Sequence, residues 1–325
     1  MFDVVPLGTG SALPTKARHL SGTAVRRDGR VVLFDCGEGT QLQMTQAGLG
    51  RGRLDAVCIT HLHGDHLYGL PGLLTTLALL GRTAPLTVVG PEALQGVLEA
   101  MPGLQADRLP FELRHVGLAE GFAHAVVYED DHVTVEARPI EHRVFCAGYR
   151  YAEKARPGHV DGPAARAAGL TTGPQFEAVK RGEPAVLPDG TVVSPEGLVG
   201  PVRPGASFAY VLDTVPCATG VELARGADLL LHEATFGDAL AERATETGHS
   251  TARQAAGVAK EAGARRLLIT HFSARYGDVA ALVAEAREVF PATEAATELA
   301  VYSVGATNGR DEESRPAVPE SPARA

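Results

Sequence analysis

Three histidines and an aspartate fall within six residues, in the order His-Leu-His-Gly-Asp-His from His61 to His66, directly after the apolar run Ala56–Thr60. His61 and His63 are two residues apart, so on extended backbone their side chains point the same way. The glycine permits a sharp turn, after which Asp65 and His66 enter a predicted helix from another direction. Because so many groups that are costly to desolvate have little structural purpose in one turn, the pattern indicates metal ligands, divided between two neighbouring cations.

Four ligands are too few for two cations, and the sequence offers three more at equivalent places. Each follows the C-terminal end of an apolar strand-like run, where α/β folds gather their sites: His142, Asp213 and His271. We assign His61, His63 and His142 to one metal, Asp65, His66 and His271 to the other, and Asp213 to a bridge between them. Imidazole and carboxylate ligands favour zinc, and manganese is an alternative where oxygen ligands dominate.

Short apolar runs alternate with helical patterns along the chain, which indicates an α/β fold built on layered sheets. The predicted strands are Phe2–Leu7, Val31–Phe34, Ala56–Thr60, Leu86–Val89, Val133–Ala137, Phe208–Leu212, Leu229–Leu231, Arg266–Thr270 and Leu299–Ser303. The predicted helices are Leu67–Leu80, Glu92–Glu99, Thr251–Ala262 and Val279–Val289. No apolar run reaches the length of a membrane-spanning helix, and no signal peptide precedes the first strand.

Two regions depart from this alternation. Residues 153–205 hold many glycines and prolines, and we predict an inserted arm with a short helix near Gln175–Lys180. Residues 307–325 are polar and rich in proline, so we expect a disordered tail. The expected organisation is a catalytic domain over residues 1–306, interrupted by the arm and followed by the tail.

Net charge and cysteine content limit the partners and the cellular compartment that we expect for the protein. The net charge of −9 argues on its face against a nucleic-acid partner. Bulk charge is a weak guide to a local site, however, and bound dications would make the working surface less negative. The four cysteines lie far apart without a C-x-x-C pair, so we expect reduced thiols in a cytoplasmic protein.

The histidine cluster matches the H-x-H-x-D-H motif of the metallo-β-lactamase superfamily, and further blocks resemble the ribonuclease Z family of tRNA 3′-processing endonucleases. The blocks follow the family's order and are Gly8 to Ser11, Asp35 to Gln41, His61 to Gly72, Glu141-His142, Asp213-Thr214, His232 to Phe236, His249 to Thr251 and Thr270 to Tyr276. The resemblance implies a four-layer αβ/βα fold, two zinc ions per subunit and a homodimer.

The resemblance also implies a reaction. The family removes the 3′ trailer of precursor tRNA by cutting after the discriminator nucleotide, and it leaves a 3′-hydroxyl on the tRNA. A metal-activated water would attack the phosphodiester, with Asp65 as general base. His249 would protonate the departing oxygen, and Glu233 would orient His249 as a carboxylate orients a triad histidine. Strand alternation points His232 to the opposite face, so we expect a structural role for it.

Candidate substrate contacts lie mainly in the arm, which resembles the family's tRNA-binding exosite. Gly173-Pro174 resembles the glycine–proline element of that module. The arm carries six acidic and six basic residues, so phosphates would be gripped by a local subset, for which we suggest Lys180 and Arg181. Arg275 is assigned to a substrate phosphate, with a structural ion pair as the alternative.

Two other functions compete with this interpretation. A small-molecule phosphodiesterase or arylsulfatase-like hydrolase of the same fold would use the same metals, but it has no need of the arm. A non-catalytic RNA-binding protein on a decayed hydrolase fold belongs to another class, and the complete ligand set argues against it.

Overall fold

Two seven-stranded mixed sheets form the centre of the computed structural model, which describes residues 1–105 and 108–305. The strands are β1 (Phe2–Gly8), β2 (Gly10–Ser11), β3 (Gly22–Arg27), β4 (Arg30–Phe34), β5 (Leu54–Cys58), β6 (Leu86–Pro91), β7 (Leu113–Leu118), β8 (Ala125–Glu129), β9 (Val133–Pro139), β10 (Ala147–Glu153), β11 (Ala185–Val186), β12 (Val192–Val193), β13 (Ser207–Val211), β14 (Leu229–Glu233), β15 (Leu267–Thr270), β16 (Phe272–Ser273), β17 (Thr293–Ala295) and β18 (Tyr302–Val304).

Helices cover the outer faces of both sheets, and two further helices lie within residues 153–205. They are α1 (Thr40–Gln46), α2 (Gly64–Leu67), α3 (Leu70–Leu79), α4 (Ala93–Glu99), α5 (Gly162–Ala167), α6 (Gly173–Lys180), α7 (Ala218–Ala224), α8 (Ala241–Thr247), α9 (Ala252–Ala262) and α10 (Ala280–Arg287). None of the helices in the described chain is long and apolar enough to cross a membrane.

The order of strands places the carboxyl ends of several parallel strands at one edge of each sheet. The first sheet runs β18-β1-β3-β4-β5-β6-β7 and the second runs β17-β15-β14-β13-β10-β9-β8. Strands β4 to β7 are parallel, as are β13, β14, β15 and β17. Because carboxyl ends of neighbouring parallel strands meet at one edge, the loops that follow them share a crevice.

Three apolar layers hold the sheets and helices together. The inner faces of both sheets pack on each other, and Phe34 of the first sheet contacts Phe208 and Tyr210 of the second at ring-centroid distances of 5.8 and 5.5 Å. Leu73 and Leu77 of α3 pack on the outer face of the first sheet. Alanines of α9 pack on the outer face of the second. The result is the predicted four-layer αβ/βα arrangement.

A short parallel bridge joins the two halves of the chain. Strand β2 follows β1 near the start of the chain and pairs with β16, which lies near the end of the chain. Gly10 lies opposite Phe272, and Ser11 lies opposite Ser273. The amide of Phe272 also donates to the Thr9 carbonyl at 2.8 Å. This bridge lies beside His271 and therefore fixes one wall of the crevice.

The arm, residues 153–205, has its own small core. Leu170 and Val179 are fully buried there with two alanines. Helix α6 begins with a capping box, in which the side chains of Thr172 and Gln175 each accept a hydrogen bond from the other residue's backbone N–H. Strands β11 and β12 form a two-residue hairpin. The predicted helix near Gln175–Lys180 is confirmed as α6, while the tail over 307–325 and residue 306 lie outside the described residues.

Other expectations on the elements were wrong at their boundaries. The single helix expected over Leu67–Leu80 is two helices, because the chain turns at Gly69 where a Cβ atom would lie 2.1 Å from the Gly37 carbonyl oxygen. The strand expected over Leu299–Ser303 begins only at Tyr302, since Leu299 has a positive φ of 66°. The sequence patterns also failed to predict β3, β7, β8 and β10.

Candidate metal centre and active site

The structure brings all seven predicted ligands together at the edge where the carboxyl ends of the strands meet. His61 and His63 lie in the loop between β5 and α2, Asp65 and His66 lie in α2 itself, and His142 lies in the loop between β9 and β10. Asp213 and His271 come just after the ends of β13 and β15. Ligands that are far apart in sequence therefore face one another because parallel strands end together.

The ligand atoms form the groups that the spacing predicted. Within 4.8 Å of one another lie atoms of His61, His63 and His142, and in a second group atoms of Asp65, His66 and His271. Asp213 lies near members of both groups: its Oδ2 is 3.8 Å from His61 Nε2 of the first group, and its Oδ1 is 3.3 Å from His271 Nε2 of the second. The Asp213 carboxylate therefore lies between the two groups.

Buried ligand atoms without hydrogen-bond partners show that the cluster suits cations. Among the described residues, no hydrogen bond satisfies His66 Nε2, His142 Nε2, His271 Nε2 or Asp213 Oδ1, although all four atoms are buried. Unsatisfied polar atoms in the interior are costly, and here they converge on one place. Imidazole nitrogen and carboxylate oxygen are ligands for zinc and related dications, so the residues present fit a metal centre.

Asp35 orients two histidines of the His61–His66 segment. It is fully buried directly after β4, and its Oδ2 accepts hydrogen bonds from His66 Nδ1 at 2.7 Å and from the Tyr210 hydroxyl at 2.9 Å. Thr60 donates its hydroxyl to Asp35 and lies 2.9 Å from His61 Nδ1. Each imidazole is thereby held in the tautomer that directs Nε2 toward the cluster.

Glu233 orients His271 in the same manner. The hydroxyl of Thr235 donates to Glu233 Oε2 at 2.6 Å and accepts from His271 Nδ1 at 2.8 Å. The amides of Thr214 and Ser250 also donate to the Glu233 carboxylate. Both halves of the centre therefore use a buried carboxylate and one threonine to orient a histidine.

His249 is the remaining partner of Glu233. Its Nδ1 lies 2.9 Å from Glu233 Oε1, and the ring reaches into the crevice beside Asp213. Burial lowers the pKa of His249, but the charge of Glu233 and the hydrogen bond to it outweigh burial and raise the pKa to about 9. A histidine that stays protonated at neutral pH, with Nε2 directed away from its carboxylate, can serve as a proton donor.

The buried charges of the cluster balance one another. Burial raises the pKa of Asp213, but the neighbouring His271 and His66 lower it more, so it stays well below its usual range. Burial lowers the pKa of His66, yet Asp213 and Asp35 raise it well above normal. For His142, whose Nδ1 donates to the Gly248 carbonyl at 2.7 Å, burial outweighs the attraction of Asp213 and lowers the pKa. Asp213 thus raises the pKa of both His66 and His142, and the balance with burial decides the direction of the net shift at each.

A cavity of about 410 Å³ opens over this cluster at the seam between the two sheets. One wall comes from the first half of the chain: Ser11, Ala12, Pro14, Leu20, Glu38, His63, Gly64, Asp65 and Tyr68. The other wall comes from segments that follow strands of the second sheet: Arg143, Asp213, His249 and His271. The cavity thus exposes both the ligand cluster and the proton donor to an incoming substrate.

The predicted arm residues lie apart from this cavity. Within the described chain, the cavity walls include no residue of the arm. Gly173 and Pro174 form the first turn of α6, and the exposed side chains of Lys180 and Arg181 lie against Glu177 and Glu183. The structure separates the candidate recognition residues from the candidate chemistry.

Two further predicted positions can now be described. Arg275 is exposed, donates to the Ser273 hydroxyl and covers the ring of Phe236 at 4.9 Å, so its guanidinium is held beside the site by a cation–π contact. His232 is buried on the opposite side of β14 from Glu233, and its Nδ1 contacts the Glu233 carbonyl oxygen. It stays outside the ligand cluster, as alternation along a strand predicts.

Sequence reasoning gave no role to Asp35, Thr60, Thr235 or Tyr210. A signal for Asp35 existed, because it follows an apolar strand in the same way as Asp213. Thr60 and Thr235 had no comparable signal, since a threonine beside a histidine or after a strand is common. Only the pairing of strands shows that their hydroxyls join a histidine to a carboxylate.

Comparison with known proteins gives similarity along almost the whole chain. The ribonuclease Z of Salinibacter ruber is 54% identical over 304 residues, which cover 93% of this chain and 94% of that protein. The crystal structure of human tRNase Z, short form, superposes with a TM-score of 0.69 and 28% identity, over 94% of this chain and 100% of that one.

Two other matches support the fold, or part of the chain, and not the function of the whole protein. The metallo-β-lactamase fold protein YhfI from Bacillus subtilis has a TM-score of 0.65 at 19% identity, over 94% of this chain and 99% of that one, and shows the fold alone. The family of the anti-Pycsar protein Apyc1 matches residues 2–100. In this chain, that segment carries β1 to β6 and the histidine turn.

Proposed function

The chain belongs to the ribonuclease Z family, and from that premise we propose that it removes the 3′ trailer from precursor tRNA, cutting after the discriminator nucleotide. The products are a tRNA with a free 3′-hydroxyl and a trailer that carries the 5′-phosphate. The enzyme class is a phosphodiester hydrolase. The observation that carries the proposal is the pair of Glu233 and His249, which sits beside the seven-ligand cluster and opens into the same cavity.

Two zinc ions are the cofactors we propose, with manganese as an alternative. His61, His63 and His142 would hold one, Asp65, His66 and His271 the other, and Asp213 both. Such ions lower the pKa of a bound water to about 7 and offset charge on the phosphoryl group. The unpartnered nitrogens and oxygen of the cluster support this assignment.

The side chains around that centre divide the proton transfers. Asp65 is held by the Ala12 amide, which donates to its Oδ2 at 2.8 Å, and it faces the cavity as a proton acceptor for the attacking water. The proton donor is His249, which lies in the same cavity and protonates the departing ribose oxygen. Glu233 keeps His249 charged and fixes the direction in which its proton points.

The arm is proposed as the module that grips the folded part of the tRNA. Its separation from the cavity supports this, because a substrate that spans both must be much larger than a small ester. Gly173 and Pro174 at the exposed start of α6, with Lys180 and Arg181 at its end, are the proposed contacts. Arg275, at the rim of the site, is a proposed phosphate contact.

We also infer a homodimer and a cytoplasmic location. Exposed Leu42 of α1 and Leu79 of α3 lie on helices joined by the hydrogen bond from Thr76 to Gln41, an apolar surface suited to a second copy. Light scattering tests the dimer. All four cysteines are buried free thiols, which suits a reducing compartment.

The decisive experiment incubates the purified protein and zinc with a precursor tRNA that carries a 3′ trailer. We expect one cut next to the discriminator nucleotide, with a 3′-hydroxyl on the tRNA, and loss of the cut on addition of a chelator. If the protein hydrolyses a small phosphodiester such as bis(p-nitrophenyl) phosphate but leaves the precursor intact, the proposed substrate is wrong. Binding of the precursor without any hydrolysis would identify a non-catalytic RNA-binding protein.

A further inference from the structure

Arg143 stands alone among the described residues of the cavity wall as a permanent cation. It follows the proposed ligand His142 in the loop between β9 and β10, and its side chain is exposed at the mouth of the cavity with His249 and Asp213. The acidic residue Glu38 lines the wall contributed by the first half of the chain. The cavity therefore has one side that attracts an anion and one that repels it.

The backbone around Arg143 is firmly anchored. The amide of Val215 donates to the Glu141 carbonyl at 2.9 Å, and the amide of Ile140 donates to the Cys146 carbonyl at 3.0 Å. The stem of Arg143 packs on Gly248, where an added Cβ would lie 3.1 Å from Arg143 Cγ. The anchored loop therefore places the Arg143 side chain at the wall of the cavity.

The guanidinium has no ion pair or hydrogen bond with any of the described residues. Neighbouring arginines contrast with it. Arg18 donates to the carbonyls of Tyr276 and Gly277, and Arg138 on β9 pairs with Glu222 at 3.0 Å. An arginine on an anchored loop, without a partner among the described residues and beside the proposed catalytic centre, is available to a substrate oxygen.

We propose that Arg143 binds a non-bridging oxygen of the scissile phosphodiester and so holds it between the ligand cluster and His249. Guanidinium is suited to this role because its planar fork matches phosphate geometry and it cannot lose its proton. The assignment rests on the proposed function only in that the substrate is a phosphodiester. It predicts the same contact for precursor tRNA and for a small diester, since both present the same group.

The experiment compares four purified proteins: wild type, Arg143→Ala, Arg143→Lys and the matched control Arg138→Ala. Each is assayed with precursor tRNA and with bis(p-nitrophenyl) phosphate, and its zinc content is measured. A hydrogen bond between charged groups predicts that Arg143→Ala lowers kcat/KM roughly 10- to 100-fold on both substrates. Arg143→Lys should recover part of that loss, because it restores the charge but not the fork.

Zinc content separates substrate binding from damage to the neighbouring ligand His142. We expect it to be unchanged in all four proteins, and Arg138→Ala to keep wild-type rates. The proposal is overturned if Arg143→Ala hydrolyses the small diester at the wild-type rate, or if its loss of activity follows a loss of zinc. Should wild type hydrolyse only the small diester, the proposed tRNA substrate fails while Arg143 is still judged on that diester.

Discussion

The metal cluster and the arm hold their charged residues in opposite ways. In the cluster, His61, His66 and Asp213 are almost fully buried, and each is held by partners from elements distant in sequence. In the arm, Lys180 and Arg181 are about half exposed and lie against acids two or three residues away. Buried charges depend strongly on every partner, whereas exposed pairs contribute little.

This difference bears on the proposed division between chemistry in the cluster and recognition in the arm. Removing one member of the cluster leaves another charge buried without its partner, so losses there should be large and should affect every substrate. Removing one arm residue leaves a solvated surface, so losses there should be small and confined to tRNA. Four predictions test that contrast, in order of decreasing effect.

The largest effect is expected for Asp65→Ala. Burial raises the pKa of Asp65, but the neighbouring His271 and His66 outweigh burial and keep that pKa well below its usual range, so Asp65 is ionised at neutral pH. The substitution removes a proposed ligand and proton acceptor together, and kcat should fall by about 10,000-fold on precursor tRNA and on a small diester. The matched arm variant Asp161→Ala, which removes the cap of α5, should leave small-diester hydrolysis intact.

Deletion of the arm should lower activity on precursor tRNA but not on the small diester. Replacing residues 157–202 by a short glycine linker keeps Arg156 and Arg203, which pair across the base of the arm. Loss of a second binding module should lower kcat/KM for precursor tRNA by roughly 100-fold or more, with small-diester hydrolysis unchanged. Equal loss on both substrates would show that the arm supports the catalytic domain rather than the tRNA.

Glu233→Gln should change the pH profile as well as the rate. Glu233 raises the pKa of His249 from 6.5 to about 9, so the wild-type acid is protonated below that pH and activity should decline only above it. Without the carboxylate the pKa returns toward 6.5, so the alkaline decline should begin near that value, and the rate at pH 8 should fall by about 30-fold. An unshifted alkaline limb would assign the proton donor to another group.

The smallest effect is expected for the double variant Lys180→Ala and Arg181→Ala. Affinity for tRNA should fall about fivefold, and the slope of log affinity against log salt should decrease by about one per lost phosphate contact. Glu183→Gln, which frees Arg181, should shift affinity the other way. Fluorescence anisotropy over a range of salt concentrations measures the loss of affinity in the double variant and the gain in Glu183→Gln. If the double variant leaves the salt slope unchanged, other residues make the phosphate contacts.

The sequence was a better guide to the cluster than to the elements that position it. The grouping of His61 to His66 was predictable because a spacing of two residues on extended backbone, followed by one turn, determines where the side chains point. Gly69 was not, because its helix break depends on the close approach of Gly37. Strand β10 was missed because its alternation, with Arg150 between Tyr149 and Tyr151, has meaning only once β9 and β13 pair with it.

The supporting residues show the same limit. Asp35 could have been predicted by the rule that found Asp213, since both follow a buried strand. The partnership of Thr235 with His271 and Glu233 could not, because it joins strand ends that only the completed sheet brings within hydrogen-bond distance. Local patterns predict ligands, whereas tertiary contacts decide which nitrogen each histidine presents.

The bridge between β2 and β16 has a consequence for biosynthesis. Each proposed ligand group combines residues of the first half of the chain with one from further along it, His142 or His271, and the bridge that closes the crevice forms only when Phe272 meets Gly10. A nascent chain that has released His61 to His66 from the ribosome still lacks a complete coordination sphere. Assembly of the proposed ligand groups therefore requires completion of the fold, and a product truncated before His271 would lack part of the proposed metal centre.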